Sequence, residues 1–374
     1  MRRLSLLACA TALLALPVSA QAEDYQAVTF LPPSNLLTSG PLIEWSKDVA
    51  AATDGRIAFN VHSGGALLGA NTILTGLGDD VAQVGFVAAS YYPKDLPKTN
   101  AVDDLSFIHT QSLPLAFAFT EFVMTTPEVR EEWEDNGLVF IAGMNTPPYQ
   151  LFCRSAVETA GDVKGKKIRT PGAVLARWAQ FMGAVPVNAP LSEAYTGLER
   201  GVLDCVVADN TTLVSTRLME VASHVVELDL GSYFLGSPWS LSRDFWTGLS
   251  VEDRQVLLDL TARALVKLQI AYAKNLESAV GEAKAAGVTF VPSEGEWEAA
   301  KQAFIDADMG GSTELVKSQL GVENPELYRE RLGSLVAKWK DLLRNVDTLD
   351  EDALHALLRS EIYDAIDVRT YGVE

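Results

Sequence analysis

The chain has 374 residues, 48% of them apolar and 21% charged, with 30 Lys and Arg against 49 Asp and Glu for a net charge of −19. That balance excludes intrinsic disorder, a collagen-like repeat and a small disulfide scaffold. It also excludes a general binder of nucleic acid or of anionic membranes, whose fields would repel so acidic a protein. The length exceeds what one hydrophobic core usually serves, so two domains are expected.

Met1-Arg2-Arg3 is a short basic start, residues 4–16 are an uncharged aliphatic run, and Pro17 breaks it. The run is shorter than the ~20 residues a spanning helix needs. With Ala20-Gln21-Ala22 behind it, this is the pattern of a secretory signal cleaved near Ala22. Removal of Arg2 and Arg3, with no acid lost, moves the charge from −19 to −21. Export also removes Cys9 and places Cys153 and Cys205 in an oxidising compartment. They form one disulfide or remain two buried thiols; the sequence leaves both readings open.

The mature chain begins with an α/β rhythm. Residues 27–31 read as a strand, Pro32-Pro33-Ser34-Asn35 as a turn and 36–52 as a helix. A strand over 56–61, a short helix over 71–77 and a strand over 82–88 follow, which predicts a parallel sheet with helices on its faces. Helices over 113–124 and 127–136 lead to a strand at 138–143. A second α/β unit starts around Asn145-Thr146-Pro147-Pro148, with strands at 149–154 and 167–170 and a helix at 174–182. Ser192 is the expected N-cap of a helix to Arg200, before a strand at 202–208. Residues 251–286 hold no Pro and no Gly before Gly281, so one long helix is predicted. Helices at 325–344, entered through Asn324 and Pro325, and at 350–366 close the chain.

The four histidines, His62, His109, His224 and His355, form no HxxxH or HExxH pattern, and neither mature cysteine has a CxxC partner. No metal site is therefore expected. No GxGxxG, GxxxxGK[ST] or GxSxG occurs either, so no cofactor and no nucleophile elbow are expected. The enzyme alternative is a secreted hydrolase using Cys153 or Cys205 with His109 or His224. It is weakened because Cys205 follows Asp204, whereas a thiolate needs an electropositive setting.

Three stretches carry more information: Gly165-Lys166-Lys167-Ile168-Arg169-Thr170-Pro171, then Gly183-Ala184-Val185-Pro186-Val187, then Glu193-Ala194-Tyr195 through Leu198-Glu199-Arg200-Gly201 to Asp204. In this order and spacing they resemble the extracytoplasmic solute-binding subunits of TRAP (tripartite ATP-independent periplasmic) transporters. Residues 79–86 and 239–249 extend the resemblance more loosely. It implies an α/β, two-lobe periplasmic binding protein fold with a ligand cleft between the lobes and a long helix spanning both. Residues 23–145 plus about 236–275 form lobe I in this reading, and 146–235 plus about 276–374 form lobe II. The partners implied are a small organic acid and the membrane permease subunits, and the protein is expected to act as a periplasmic monomer. A receptor of another uptake or sensing system is the alternative within the binding class.

Arg169 ends a short strand, where ligands of α/β sheets bind, and its planar guanidinium can grip a carboxylate with two parallel bonds. The resemblance gives Arg169 that role. It also points to Asp209 and Asn210 after the strand at 202–208, to Ser90 and Tyr91 after the strand at 82–88, and to Tyr233 and Trp239 as aromatic walls. Asp209 would suit an amine or hydroxyl better than a carboxylate. Pro147-Pro148-Tyr149 stands where the sialic-acid-binding members carry a further arginine, which argues against that ligand.

Overall fold

The computed structural model describes residues 23–308 and 312–373; the expected signal segment, residues 1–22, lies outside them. Lobe I is built on a five-stranded sheet in the order β2-β1-β3-β10-β4. Its strands are β1 (Glu23–Val28), β2 (Ile57–His62), β3 (Val84–Ala88), β4 (Leu138–Phe140) and β10 (Gly236–Ser242). Lobe II has a six-stranded sheet in the order β11-β9-β5-β8-β6-β7. It comprises β5 (Tyr149–Cys153), β6 (Lys167–Arg169), β7 (Val185–Val187), β8 (Cys205–Asp209), β9 (His224–Glu227) and β11 (Thr289–Pro292).

Both sheets are mixed rather than parallel throughout. β1, β2 and β3 pair in parallel, as the alternating helices and strands require. β10 then returns from lobe II and inserts antiparallel between β3 and β4. β5, arriving from lobe I, likewise runs antiparallel to β8 and β9. Strands that cross between lobes have no helix to reverse them, so they enter the neighbouring sheet in the opposite sense.

Helix Ser112–Thr125 is apolar nearly all round, and it is covered on its outer side by helix Pro325–Leu343. Phe117, Phe119 and Phe122 on it are completely buried, each such burial contributing about 1.5–3 kcal/mol. The expected division assigned everything after about residue 276 to lobe II. From Pro325 onward the chain instead packs on lobe I, where the Oη atoms of Tyr363 and Tyr371 donate to the carbonyls of Ile141 and Phe140 at 2.8 and 2.6 Å. The unpaired apolar face of helix Ser112–Thr125 explains this return.

The long helix runs from Val251 to Ala285, 35 residues, entered through Ser250, whose hydroxyl accepts from the Asp253 amide at 3.0 Å. It packs on helix Trp45–Ala52 of lobe I and on helix Thr211–Ser215 of lobe II. Ser192 lies in a short 3-10 turn and gives no side-chain cap to the following helix, Ala194–Glu199. Among the described residues no helix is long and apolar enough to cross a membrane.

Cys153 and Cys205 are joined in a disulfide across β5 and β8. The register there pairs Cys153 with Cys205 and Tyr149 with Asp209. Alternation sends Tyr149, Leu151, Cys153, Cys205 and Val207 to the main core, and Phe152, Val206 and Ala208 to a separate apolar cluster.

Candidate functional site

A small cavity lies between the lobes. Lobe I supplies Phe30, Leu37, Phe86 and Tyr91; lobe II supplies Tyr149, Arg169, Leu191, Asp209 and Thr212; the long helix contributes Tyr272. Its volume is only about 30 Å³, well under the ~300–1,000 Å³ of an open small-molecule site, so the lobes are drawn together around it. Admitting an organic ligand requires them to part.

Arg169 is 2% exposed at the end of β6. Its Nε donates to the Ala189 carbonyl at 2.8 Å, one Nη to the Val207 carbonyl at 3.0 Å and the other Nη to Tyr91 Oη at 2.9 Å. All three acceptors are neutral, and no described carboxylate forms an ion pair with it. One proton on each terminal nitrogen remains uncommitted, which is the pair a carboxylate needs. A guanidinium withdrawn from water without a counter-ion is costly, and an anion entering beside it offsets that cost.

The Tyr91 contact joins the lobes, since Tyr91 follows β3 and its oxygen also accepts from the Leu191 amide at 3.3 Å. A second joint lies nearby. Asp103 of lobe I accepts through Oδ2 from the amides of Ala173 and Val174, at 2.6 and 3.0 Å, capping helix Ala173–Phe181 of lobe II. Gly172, at φ +93°, permits this approach: a Cβ there would stand 2.8 Å from Asp103 Oδ2. Arg177 on the same helix bonds Asp104 and, at 2.8 and 2.9 Å, Asp308; Arg329 bonds Asp104 from the other side. Burial pushes the Asp103 carboxyl up to about 6, against the pull of the amides it accepts from.

The expected site residues divide. Arg169, Tyr91, Asp209 and Tyr233 line the cavity together. Ser90 lies one layer away, its hydroxyl 2.9 Å from Tyr233 Oη, and lines the neighbouring cleft beside Asp103 and Gly172. Asn210 does not line the cavity; its buried Oδ1 has no partner among the described residues. Trp239 is completely buried in lobe I, its indole N–H donating to the Pro41 carbonyl at 2.7 Å, because its position on β10 faces that lobe's core. Sequence reasoning missed Tyr149, Tyr272 and Asp103 as site residues. Tyr149 was visible only as the substitute for a missing arginine. Tyr272 was signalled by a polar break, Gln269 and Tyr272, in the buried face of the long helix.

A larger groove, about 610 Å³, lies on the other side of Tyr272 at Pro147 and Pro148. Its cations, Lys340 and Arg344, are exposed to water, so it lacks the electrostatic demand of the interlobe cavity. Among the described residues no cluster of His, Cys, Asp and Glu could hold a metal ion.

Two α/β lobes, a cleft between them and a buried cation facing that cleft define a solute receptor. Residues 29–307 match the family described as bacterial extracellular solute-binding protein, family 7, and the chain belongs to that family. A solute-binding protein of Albidiferax ferrireducens is 22% identical over 222 residues, which cover 58% of this chain and 64% of that protein. The fold matches a TRAP periplasmic solute-binding protein of Bordetella bronchiseptica with bound (R)- and (S)-mandelate, at a TM-score of 0.72 and 24% identity, over 86% of this chain and 99% of the other. It also matches a TRAP solute-binding protein of Rhodoferax ferrireducens in complex with copurified benzoate, at 0.74 and 19% identity, over the same shares. This family and fold are those of binding proteins, not of enzymes.

Proposed function

We propose that this chain is the periplasmic receptor of a TRAP-type transporter, capturing a small organic acid between its lobes and delivering it to the membrane permease subunits. The observation that carries the reading is Arg169: buried, held by three neutral acceptors and left with one free proton on each terminal nitrogen. The ligand carboxylate takes those two protons, and Tyr91 and Asp103 hold the lobes closed over it. Closure then follows from differential contacts, because Arg169 is compensated only in the liganded, closed state. The acids bound by structurally similar proteins, mandelate and benzoate, support the substrate class. The receptor acts as a monomer, and its mature chain starts at Glu23, after cleavage at Ala22. The disulfide leaves neither mature cysteine as a thiol, so the hydrolase alternative lacks its nucleophile.

Isothermal titration of the purified, ligand-stripped protein with a panel of small carboxylic acids tests this. One-site saturable binding without product is expected, with affinity falling at least about 30-fold in Arg169→Ala, since breaking a buried charged contact costs ~2–5 kcal/mol. Unchanged affinity in that variant refutes the clamp.

A further inference from the structure

The remaining polar groups of the cavity ask for something different from what Arg169 asks for. Asp209 is 3% exposed at the end of β8, directly opposite Tyr149. Its Oδ1 accepts from the Thr211 amide at 3.0 Å and from the Thr211 hydroxyl, while its Oδ2 takes no bond from any other described residue. No described arginine or lysine pairs with it. Tyr149 and Tyr272 line the same cavity, and neither phenol oxygen hydrogen-bonds to any described residue. Burial holds both phenols well above their usual pKa, so they are protonated, and the charge of Asp209 acts on both. The Tyr149 ring is fixed by stacking on Tyr233, with centroids 6.4 Å apart and planes within 3°. The cavity therefore holds a carboxylate oxygen and two phenols that take no bond from any other described residue, set against the aromatic wall of Phe30 and Phe86, whose rings stack at 5.2 Å.

We infer that Asp209, Tyr149 and Tyr272 form a second recognition group, which selects acids carrying a hydroxyl or N–H donor apart from the carboxylate and rejects acids with a second carboxylate. The inference rests on Arg169 being the carboxylate clamp and adds what the rest of the ligand must be. A donor on the ligand gives Asp209 Oδ2 the proton it lacks, and the ligand's heteroatom can in turn accept from a phenol. An acid without that donor leaves three buried polar groups unpaired, the circumstance in which binding sites discriminate most strongly. A second carboxylate would meet the Asp209 charge with no cation to separate them, which costs rather than stabilises.

The test is calorimetric titration with two matched series: benzoate, 3-hydroxybenzoate, 3-aminobenzoate and isophthalate; butanoate, 3-hydroxybutanoate, 3-aminobutanoate and succinate. Each series keeps one carboxylate and changes the other substituent, and the two scaffolds allow for ligand size. In at least one series the hydroxy or amino acid is expected to bind on the order of tenfold more tightly than the unsubstituted acid, one charged-group hydrogen bond's worth. The dicarboxylate is expected to bind more weakly than either. Asp209→Asn should shrink the preference for the donor and the penalty on the dicarboxylate; Tyr272→Phe and Tyr149→Phe should shrink only the former. If acids bind but the unsubstituted or dicarboxylic member ranks first, or the ranking survives in all three variants, this inference fails while the Arg169 reading stands. If no acid of either series or of the wider panel binds, both fail.

Discussion

Two arginines of lobe II, the buried Arg169 and the half-buried Arg177, stand within one strand-to-helix unit and have opposite surroundings. Arg177 is matched by Asp104 and Asp308, and Asp104 is shared with Arg329. Arg169 is more deeply buried and bonded only to neutral oxygens. Lack of a carboxylate alone does not mark a site: Arg254, also buried, donates to the Trp246 and Thr247 carbonyls at 2.9 and 2.8 Å. Those carbonyls close the helix Arg243–Gly248, whose negative end supplies the compensation, and Arg254 lines none of the cavities described. What singles out Arg169 is the conjunction of burial, neutral partners, uncommitted protons and an adjoining cavity. Arg177 belongs to the architecture, whereas Arg169 is the cation on which the proposed carboxylate clamp rests.

Substitution should separate the two arginines sharply. Arg169→Ala is expected to abolish most acid binding while leaving the thermal midpoint of the unliganded protein unchanged or higher, since it removes an uncompensated buried charge. Arg177→Met should do the reverse. It leaves Asp308 without its partner and weakens an interlobe joint, lowering stability by about 3 kcal/mol with affinity changed only a few-fold. Paired calorimetry and thermal melts read both; equal effects on both quantities in both variants would erase the distinction.

Gly172→Ala tests the joint without touching a charge. The added methyl meets Asp103 at a backbone angle that side chains avoid, φ +93°, a strain of ~1–3 kcal/mol. Scattering measurements with saturating ligand should report a more open particle, and affinity should fall about tenfold. A closed particle with native affinity would remove Asp103 from the closing mechanism.

The smallest effect concerns pH. The Asp103 carboxyl, raised to about 6 from an ordinary 3.8, binds its proton more tightly in the folded than in the unfolded chain. Its stabilising contribution is therefore complete below about 4 and is lost as pH rises through about 6. Asp209, also at about 6, has the same sign, and Glu132, at about 7, extends the window upward. Asp103→Asn should flatten the decline in denaturant stability between pH 4.5 and 7; a curve parallel to that of the wild type counts against the shift.

The position of Arg169 on the interlobe cavity was legible because its evidence is local: a basic residue ending a short strand before Thr170-Pro171-Gly172, in a motif of fixed spacing. The long helix was legible for the same reason, as a run over 251–286 with no Pro and no Gly before Gly281. Trp239 misled because an aromatic residue on an alternating strand has the same local signature whether it faces a core or a cleft. Tyr149, Tyr272 and Asp103 meet the site from three separate parts of the chain, and nothing near Asp103 in sequence announces that it will cap a helix seventy positions on. The return of the C-terminal helices to lobe I was equally hidden, since their amphipathic faces do not name the surface they cover.

The disulfide has a consequence beyond tying two strands. Cys153–Cys205 and Tyr149–Asp209 are rungs of one ladder, four residues apart on each strand and directed to the same face. A slip of one residue would turn Tyr149 and Asp209 away from the interlobe cavity together. The covalent rung forbids that slip, so the oxidant that closes it during folding also sets the frame of the cavity wall. The selectivity proposed for Tyr149 and Asp209 would thereby be partly inherited from the redox chemistry of the compartment where the chain matures.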